Sequence, residues 1–446
     1  MIRSLAAVGA AALLSSFVAA PAHAAVVGVS TTASLQAAID TAVPGQRIVL
    51  AEGVHTADQP VKITKPGITV AARTTGATVF TRGGFELGAV RGVTIEGFVF
   101  NGTSSMSVPV KAQATRITRN TYNGDKNGAS LTVSANDVQV DLNTFSNRSN
   151  EGVYLQITGP GSEIAQRTWV HHNYFYNHSF SGDNGGESIR LGYSHKQSKS
   201  AYAVIEHNLF EKANGDPEAI SVKSSDNTVR FNTIRDSKGY IVLRHGNRTT
   251  VEGNVLFGSG IRFHGNDHKV FNNYVQNTGD RAIVFGKGSE TDSGPASTSH
   301  DRPDRVTVAF NTLIGTGAVV DTDTGTYAPK DCVLANNIVQ GSSSKLIDIM
   351  SGSTVKYEGN IVWGGTAGIP SGYRSVDPKL VRDANGMLRL TSGSPAIDTS
   401  AGTYSYVTRD FDPQARFGKP DVGADEYSPS AVRKPLTKAD VGASAP

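Results

Sequence analysis

A lysine and an arginine occupy similar short, strand-like stretches of the sequence. Lys223 lies in EAISVKSS, seven positions after Asp216 and five after Glu218, and Arg244 follows in GYIVLRHG, twenty-one positions after the lysine. A lysine beside a second cation has a lowered pKa and can act as a general base. An arginine keeps its proton at neutral pH and serves as a charge stabiliser. The pair suits removal of a proton next to a carboxylate, where negative charge develops in the transition state.

Three oxygen-bearing side chains accompany the two cations: Asn184, Asp216 and Glu218. Carboxylate and amide oxygens are ligands for a hard cation, and Ca²⁺ is the ion that we expect. No cluster of His and Cys has the spacing of a zinc site. A calcium ion beside Lys223 and Arg244 would attract an acidic substrate. Elimination from a uronic acid gains most from this arrangement, because the proton removed lies next to a carboxylate.

An asparagine recurs before short apolar triplets along the middle of the chain. The steps between successive copies run from 19 to 38 residues. The shortest steps, near twenty residues, are typical of one coil of a parallel β-helix, and the longer steps indicate inserted loops. Asparagine tolerates a left-handed bend, and its amide can bond to the copy one coil away, so we expect a structural ladder. Its members are Asn120, Asn143, Asn173, Asn208, Asn232, Asn254, Asn273, Asn311, Asn337 and Asn360.

The coils align by their alternation of apolar and polar residues. Stacking ESIRLG, EAISVKSS, GYIVLRHG and SGIRFHG gives two apolar columns two residues apart, which predicts that both face the core. The outward positions then carry Lys223, Arg244 and His264 on successive coils about 4.8 Å apart, facing solvent or a substrate. The core columns are Ile189, Ile220, Ile241 and Ile261, and Leu191, Val222, Leu243 and Phe263.

The composition and the two ends of the chain complete the fold prediction. The 446 residues include 48 Gly, which favours an all-β chain rich in turns, and a single cysteine, Cys332, expected to be a buried apolar residue. SLQAAIDTAV, residues 34–43, predicts a short helix capped by Ser34 that seals the first coil. From about 380 to 446 the periodicity fades into a loop-rich closing segment. We therefore expect one all-β solenoid domain over 25–446 with an N-terminal capping helix.

The first 24 residues have the pattern of a signal peptide. They combine a basic start, an apolar run from Leu5 to Val18 and a small-x-small sequence ending at Ala24. The apolar run is shorter than the ~20 residues that a membrane-spanning helix needs. A net charge of +3 indicates neither a nucleic acid nor a membrane surface as partner. From the signal-peptide pattern we expect a secreted protein.

Several stretches, in order along most of the chain, resemble polysaccharide lyase family six, which contains alginate lyases and dermatan-sulfate-cleaving enzymes of the chondroitinase B type. They are NGGESIRLG, NGDPEAISVKSS, NTIRDSKGYIVLRHG and SGIRFHGNDHKVFNNY, with DVGADEYS and PLTKADVG near the C-terminus. The resemblance implies a right-handed parallel β-helix in which Lys223 is the base and Arg244 the acid. It also implies that Asn184, Asp216 and Glu218 bind Ca²⁺.

The resemblance further implies a substrate cleft containing His245 and Arg262, and the alignment of coils adds His264. One departure concerns the calcium loop, where the family usually has a glutamate and this chain has Asp216 followed by Pro217. Aspartate is one methylene shorter, so its reach towards an ion is reduced.

The function expected from this set is a secreted lyase acting on an acidic polysaccharide by β-elimination. Alginate is the preferred substrate, because the chain lacks the positive charge expected for dense sulfate recognition, and dermatan sulfate is the alternative. A glycoside hydrolase on this scaffold would need carboxylates converging in the cleft. Asp321 and Asp323 share a strand face but lie several coils away from the lysine. A non-catalytic carbohydrate-binding β-helix is the remaining alternative.

Two further pairs have structural interpretations. Glu187 and Arg190 are expected to form an ion pair that supports the cleft. His171 and His172 are adjacent, so on a strand they would point to opposite faces and would not share a metal.

Overall fold

The structure is a computed structural model that describes residues 25–102, 105–277, 279, 281–292, 294, 296–430 and 433–446. The predicted signal peptide lies outside these residues. Within them, no helix is long and apolar enough to cross a membrane. The chain winds into coils, and most coils give one strand to each of three long parallel sheets.

The first sheet has fourteen strands: Val26–Val29, Arg47–Leu50, Thr69–Ala72, Thr94–Glu96, Arg116–Thr118, Gln139–Asp141, Trp169–His171, Val204–Glu206, Thr228–Arg230, Thr250–Glu252, Lys269–Phe271, Thr307–Ala309, Cys332–Ala335 and Val355–Glu358. The second sheet has ten: Met106–Val108, Leu131–Val133, Leu155–Ile157, Ile189–Gly192, Glu218–Lys223, Tyr240–His245, Ile261–Phe263, Ile283–Phe285, Val320–Thr322 and Ile347–Asp348.

The third sheet has fourteen strands: Gly53–Thr56, Thr78–Arg82, Phe98–Asn101, Thr121–Asn123, Thr144–Arg148, Tyr174–His178, Leu209–Ala213, Thr233–Arg235, Val255–Phe257, Tyr274–Asn277, Thr312–Gly315, Ile338–Gly341, Asn360–Trp363 and Tyr373–Arg374. Two small pairs complete the strands: Val61–Ile63 with Phe85–Leu87, and Val381–Arg382 with Leu388–Arg389. The stacking of successive coils in three parallel sheets is that of a parallel β-helix, which confirms the predicted fold class.

The core columns predicted from the alternation are confirmed. Ile189, Ile220, Ile241 and Ile261 pair in register on successive strands of the second sheet, and so do Leu191, Val222, Leu243 and Phe263. All eight side chains are buried. Cys332 is likewise buried and unpaired. Because the core is one stack of similar layers, each coil covers the apolar face of the next.

The asparagine ladder is also confirmed. All ten predicted members are buried, and the first nine each donate through the side-chain amide to the next copy; Asn232 Nδ2, for example, donates to Asn254 Oδ1 at 3.0 Å. Asn360, the last member, donates to the Leu334 and Gly372 carbonyls. The expected bend lies one residue earlier, however. The residue before each asparagine adopts the left-handed conformation, as in Phe231 with φ 57° and His172 with φ 53°. The asparagine instead supplies hydrogen bonds that the bent backbone lacks.

That bend corrects the expectation for His171 and His172. The strand ends at His171, and the left-handed backbone of His172 turns its ring back, so the Nδ1 atoms of the two histidines lie 2.9 Å apart. The alternation of a strand does not apply across a corner.

The predicted N-terminal helix is present at Thr32–Thr41. Its cap is Thr31, whereas Ser34, the expected cap, is the third helical residue and bonds back to the Thr31 backbone in a capping box. Leu35 and Ile39 are fully buried against the first coils. A short 3₁₀ turn, Ser194–Lys196, lies beside the second sheet.

The segment after residue 380 packs along the outer side of the third sheet. Met387 and Phe411 cluster with Val255 and Tyr274. Further on, the Leu436 amide donates to Thr233 Oγ1 and the Ala443 amide to Thr144 Oγ1. Arg119 contacts the carbonyl of Ala445. The segment therefore runs back across many coils of the third sheet.

Candidate active site

A groove on the outer face of the second sheet contains the predicted lysine and arginine. Its main part is a cleft of about 360 Å³, and hollows of about 80 and 130 Å³ continue it along the sheet. The cleft and the first hollow share Arg244 and His300, and the two hollows share Glu218, Val242 and Arg262. The cleft is lined by Asn184, Arg190, Tyr193, Ser194, Lys223, Arg244, His245, Thr298 and His300.

Lys223 ends the strand Glu218–Lys223, all of whose residues are buried. It pairs with Gly192 on one side, as the alignment predicts. On the other side a register shift after Val222 pairs it with His245 and not with Arg244. The side chain was expected to face solvent or a substrate, and it lines the cleft with only 10% of its surface exposed.

The electrostatic surroundings of Lys223 lower the pKa of its amine. Burial lowers the pKa of its amine, and the charges of Arg190 and Arg244 act in the same direction. Glu187 and Glu218 oppose them, but the pKa remains below its ordinary value. A lysine with a lowered pKa is a usable general base near neutral pH.

Glu187 and Arg190 form the pair predicted from the sequence. Arg190 Nε donates to Glu187 Oε1 at 2.8 Å, and Lys223 Nζ lies 3.3 Å from the same oxygen. Burial alone would raise the pKa of Glu187. The hydrogen bonds from Arg190 and the charge of Lys223 outweigh burial and hold the pKa below its ordinary value. Glu187 is therefore a buried carboxylate that connects the lysine to an arginine.

Arg244 lines the same cleft and forms an ion pair with Glu218 Oε1. About a quarter of its side chain, 28%, is exposed towards the groove. The second oxygen of Glu218, Oε2, is buried without a hydrogen-bond partner in the described part of the chain. Arg244 can thus bind an anion in the groove while it also neutralises Glu218.

The three residues predicted to bind calcium differ in how their oxygens are bonded, and only Asn184 lines the main cleft. Both carboxylate oxygens of Asp216 accept backbone hydrogen bonds, from Gly186 at 2.9 Å and from Glu218 at 2.7 Å. Burial and the charge of Glu187 raise the pKa of Asp216 to about 7. Asn184 is exposed at the edge of the cleft.

As they are bonded here, these side chains do not present converging free oxygens to an ion, the other ligands of Ca²⁺ being backbone carbonyls and water. Only Oε2 of Glu218 is buried and unengaged. Across the described residues, no group of three or more His, Cys, Asp or Glu side chains could hold a metal.

His245 and His264, predicted to bind substrate, lie along the same wall of the groove. The Nδ1 of His245 donates to the Ser299 carbonyl at 3.1 Å, and that of His264 to the Lys287 carbonyl at 3.0 Å. Burial, with nearby positive charge, lowers the pKa of His245 to about 3 and that of His264 well below its ordinary value. Both rings are neutral near pH 7.

Arg262, the third predicted substrate contact, lines the two hollows and is paired with Asp323 at 2.6 Å. Arg281 binds both Asp323, at 2.6 Å, and Asp321, at 3.3 Å. The two aspartates thus neutralise arginines, so Asp321 and Asp323 are not available as the pair of catalytic carboxylates that a glycoside hydrolase uses.

Sequence reasoning missed His300, whose ring lies between those of His245 and His264. The centroid of the His300 ring lies 4.8 Å from that of His245 and 4.4 Å from that of His264, and the rings are nearly parallel. His300 belongs to the loop inserted between Asn273 and Asn311. The step of 38 residues signals that insertion, but nothing in the sequence indicates which of its residues reaches the groove.

A larger cavity, of about 680 Å³, lies elsewhere, between the loop 399–408 and the loop 416–420. It contains neither the lysine nor the arginine of the groove. Its one fully buried cation, Arg416, is bound by Glu426 and by backbone carbonyls. The groove is therefore the better candidate for an active site.

The chondroitinase B family model matches residues 29–343. Among solved structures, the PL6 family alginate lyase AlyGC is 25% identical over 83% of this chain and 56% of its own length, with a TM-score of 0.73. The PL6 polysaccharide lyase Pedsa3628 from Pseudopedobacter saltans is 20% identical over 94% of this chain and 99% of its own, with a TM-score of 0.65.

A third structure, the alginate lyase AlyF-OU02 in complex with G6, is 20% identical over 84% of this chain and 92% of its own, with a TM-score of 0.68. No curated protein matches the chain. The chain spans little more than half the length of AlyGC.

Proposed function

Because the chain belongs to the chondroitinase B family, polysaccharide lyase family six, we propose that it cleaves an acidic polysaccharide by β-elimination at a uronate bound in the groove. Lys223 is the base, and Arg244 is the acid and charge stabiliser. The observation that carries the proposal is a buried lysine with a lowered pKa lining the same cleft as a partly exposed arginine.

The reaction follows from what these two side chains can do. The neutral amine of Lys223 accepts the proton from the carbon next to the uronate carboxylate. The electron pair left behind forms a carbon–carbon double bond as the glycosidic carbon–oxygen bond breaks. Arg244 stabilises the negative charge that develops on the carboxylate and the leaving oxygen, and in a coupled step donates the proton that the oxygen takes up. Glu187 holds the amine in place, and the products are a chain with a new hydroxyl and an unsaturated uronate.

Alginate is the proposed substrate, and dermatan sulfate is the alternative. Three of the groove's cations, Arg190, Arg244 and Arg262, are each paired with a buried or half-buried acid. The groove therefore has little excess positive charge for dense sulfate groups, whereas a single carboxylate per sugar suits it. Three of the matched structures are described as alginate lyases or lyases of this family. We further propose that the protein is secreted, since the first 24 residues have the pattern of a signal peptide.

Calcium at Asn184, Asp216 and Glu218 stays a prediction from the family resemblance. Bound there, the ion would help to neutralise the substrate carboxylate. The mechanism proposed for Lys223 and Arg244 contains no step on the ion, and in this structure Asp216 accepts two backbone amides while Glu218 is paired with Arg244.

The test measures turnover of alginate and of dermatan sulfate by the wild type and by Lys223→Ala. Turnover is detected through the ultraviolet absorbance of the conjugated uronate. We expect the wild type to produce the absorbance and the variant to lose it while it stays folded. Lys345→Ala, at an exposed lysine paired with Asp348, is the matched control and should keep full activity. Appreciable turnover by Lys223→Ala would assign the base to another residue. Binding of either polymer without turnover by the wild type would favour the non-catalytic alternative.

A further inference from the structure

His300 occupies the junction between two parts of the groove. It lines the main cleft, together with Lys223 and Arg244, and also the adjoining hollow, together with Arg262 and His264. A sugar chain lying along the groove from the cleft to this hollow passes the His300 ring.

The segment that carries His300 is hydrogen-bonded within its own loop and to residues of neighbouring coils. The His300 carbonyl accepts hydrogen bonds from the amides of Ser289 and Glu290, at 2.8 and 3.1 Å. The Ser299 carbonyl accepts from His245, and the Ser297 carbonyl from Gln197. With the stacking of its ring between two others, these contacts fix the direction of the His300 side chain before any ligand arrives.

The ring nitrogens of His300 are available to a ligand. Among the described residues, the structure gives neither nitrogen a hydrogen-bond partner. Burial and the positive charges of Arg244, Arg262 and Lys223 lower the pKa of the imidazole to about 4. Such a ring has one donor and one acceptor at neutral pH. That combination suits a sugar hydroxyl, whereas a carboxylate would prefer the arginines on either side.

We propose, on the basis of the function proposed above, that His300 is a further substrate-binding residue, which hydrogen-bonds a hydroxyl of the sugar lying between the cleft and the adjoining hollow. The two flanking histidines hold the ring in place through stacking. Both donate their Nδ1 hydrogens to backbone carbonyls, at Ser299 and Lys287. In this arrangement the three rings form one wall of the groove, and the middle ring has both nitrogens open to the sugar.

The experiment separates hydrogen bonding from stacking by two substitutions. Phenylalanine at position 300 keeps a flat ring between His245 and His264 but has no polar atom, and glutamine keeps a donor and an acceptor without the ring. Each is made in the Lys223→Ala background, so that the substrate is bound and not consumed. Binding of alginate and dermatan sulfate tetrasaccharides is then measured by calorimetry, and thermal melting reports on folding.

We expect His300→Phe to weaken binding roughly three- to tenfold, the effect of one lost neutral hydrogen bond, with an unchanged melting temperature. His300→Gln should bind more tightly than His300→Phe. His207→Phe is the matched control: this histidine also stacks on a second imidazole, His172, and burial lowers its pKa to about 4, but it lies at a corner between the first and third sheets. In the Lys223→Ala background, His207→Phe should bind the tetrasaccharides as tightly as Lys223→Ala alone.

Two results would overturn the inference about His300 alone: equal binding by His300→Phe and the parent, or equal losses in His300→Phe and His300→Gln. Failure of the Lys223→Ala parent to bind either tetrasaccharide would instead overturn the proposed function, and the role of His300 with it.

Discussion

The amine of Lys223 lies 3.3 Å from a carboxylate oxygen of Glu187, whose side chain has no exposed surface. Arg190 binds the same carboxylate. This arrangement orients the amine towards one point of the cleft, and it sets opposing influences on the amine's proton affinity. Burial and the arginines favour the neutral amine, and the carboxylate favours the ammonium ion. The pH range in which Lys223 can act as a base depends on that balance.

Glu187→Gln should shift the pH dependence of the reaction. Removing the negative charge removes an influence that raises the pKa of Lys223, so that pKa falls further. The base is active when neutral, and the rate therefore falls as pH drops through the pKa. The acidic limb of kcat/KM should move to lower pH by about one unit. Initial rates on alginate across the pH range measure it.

The control for this shift is Glu163→Gln, which neutralises the partner of Lys199 in an exposed ion pair. Its profile should match the wild type. Glu187→Gln also leaves Arg190 with a neutral partner, so some loss of stability is expected, and rates are compared below the melting temperature. An acidic limb that stays in place, or moves to higher pH, would show that Glu187 does not tune the base.

Arg244→Ala should lower kcat roughly 100- to 1000-fold, because the groove loses the group that stabilises developing charge. It also leaves Glu218 as a buried carboxylate without its cation. Arg244→Lys keeps a charge but not the forked donor, and should retain partial activity. Initial rates and melting curves of each variant separate the two effects.

The double variant Arg244→Ala with Glu218→Gln sharpens this test. Removing the unpaired buried charge should recover the melting temperature but not the activity. Recovery of activity in the double variant would show that the arginine serves only to neutralise Glu218.

The periodic parts of this fold could be predicted from the sequence because each coil repeats the environment of the one before it. The Ile220 and Val222 columns and the asparagine ladder depend on local alternation and on contact with the adjacent coil. The register shift after Val222 could not be predicted in this way. It places Lys223, the last residue of its strand, opposite His245.

The non-periodic parts of the site were the ones that sequence reasoning missed. His300 comes from an inserted loop, and its position depends on contacts with Gln197, Ser289 and Glu290, which no spacing rule relates to one another. The alignment could assign an outward position to Lys223, but it could not show that the side chain is mostly buried. Such burial depends on tertiary packing, which the pattern of one strand does not encode.

Removal of divalent cations should leave the activity largely intact. Both oxygens of Asp216 are engaged by backbone amides, and Glu218 is paired with Arg244. Dialysis against excess EDTA, followed by rate and melting measurements with and without added Ca²⁺, checks this expectation. Asp216→Asn serves as the companion variant: its effect should be the same with and without Ca²⁺. Loss of activity in EDTA that calcium alone restores would show that these side chains rearrange to bind the ion.

Asn232→Ala should destabilise the solenoid by about 3 kcal/mol, because it leaves several buried polar groups unsatisfied. The Asn232 amide donates to the Ile205 carbonyl at 2.9 Å and to Asn254 Oδ1 at 3.0 Å, and its oxygen accepts from the Asn208 amide at 3.0 Å. A shift of the urea midpoint measures the loss, and kcat on alginate should be unchanged, since the ladder lies at a corner away from the groove.

Asn101→Ala is the matched control for the ladder. Asn101 also forms an amide-to-amide contact with a copy on the next coil, Asn123, at 2.9 Å, but on the exposed outer side of the third sheet, where water can replace the bond. It should shift the urea midpoint by a small fraction of the Asn232→Ala effect. Equal shifts for the two variants would mean that burial of the ladder contributes nothing to the stability of the coils.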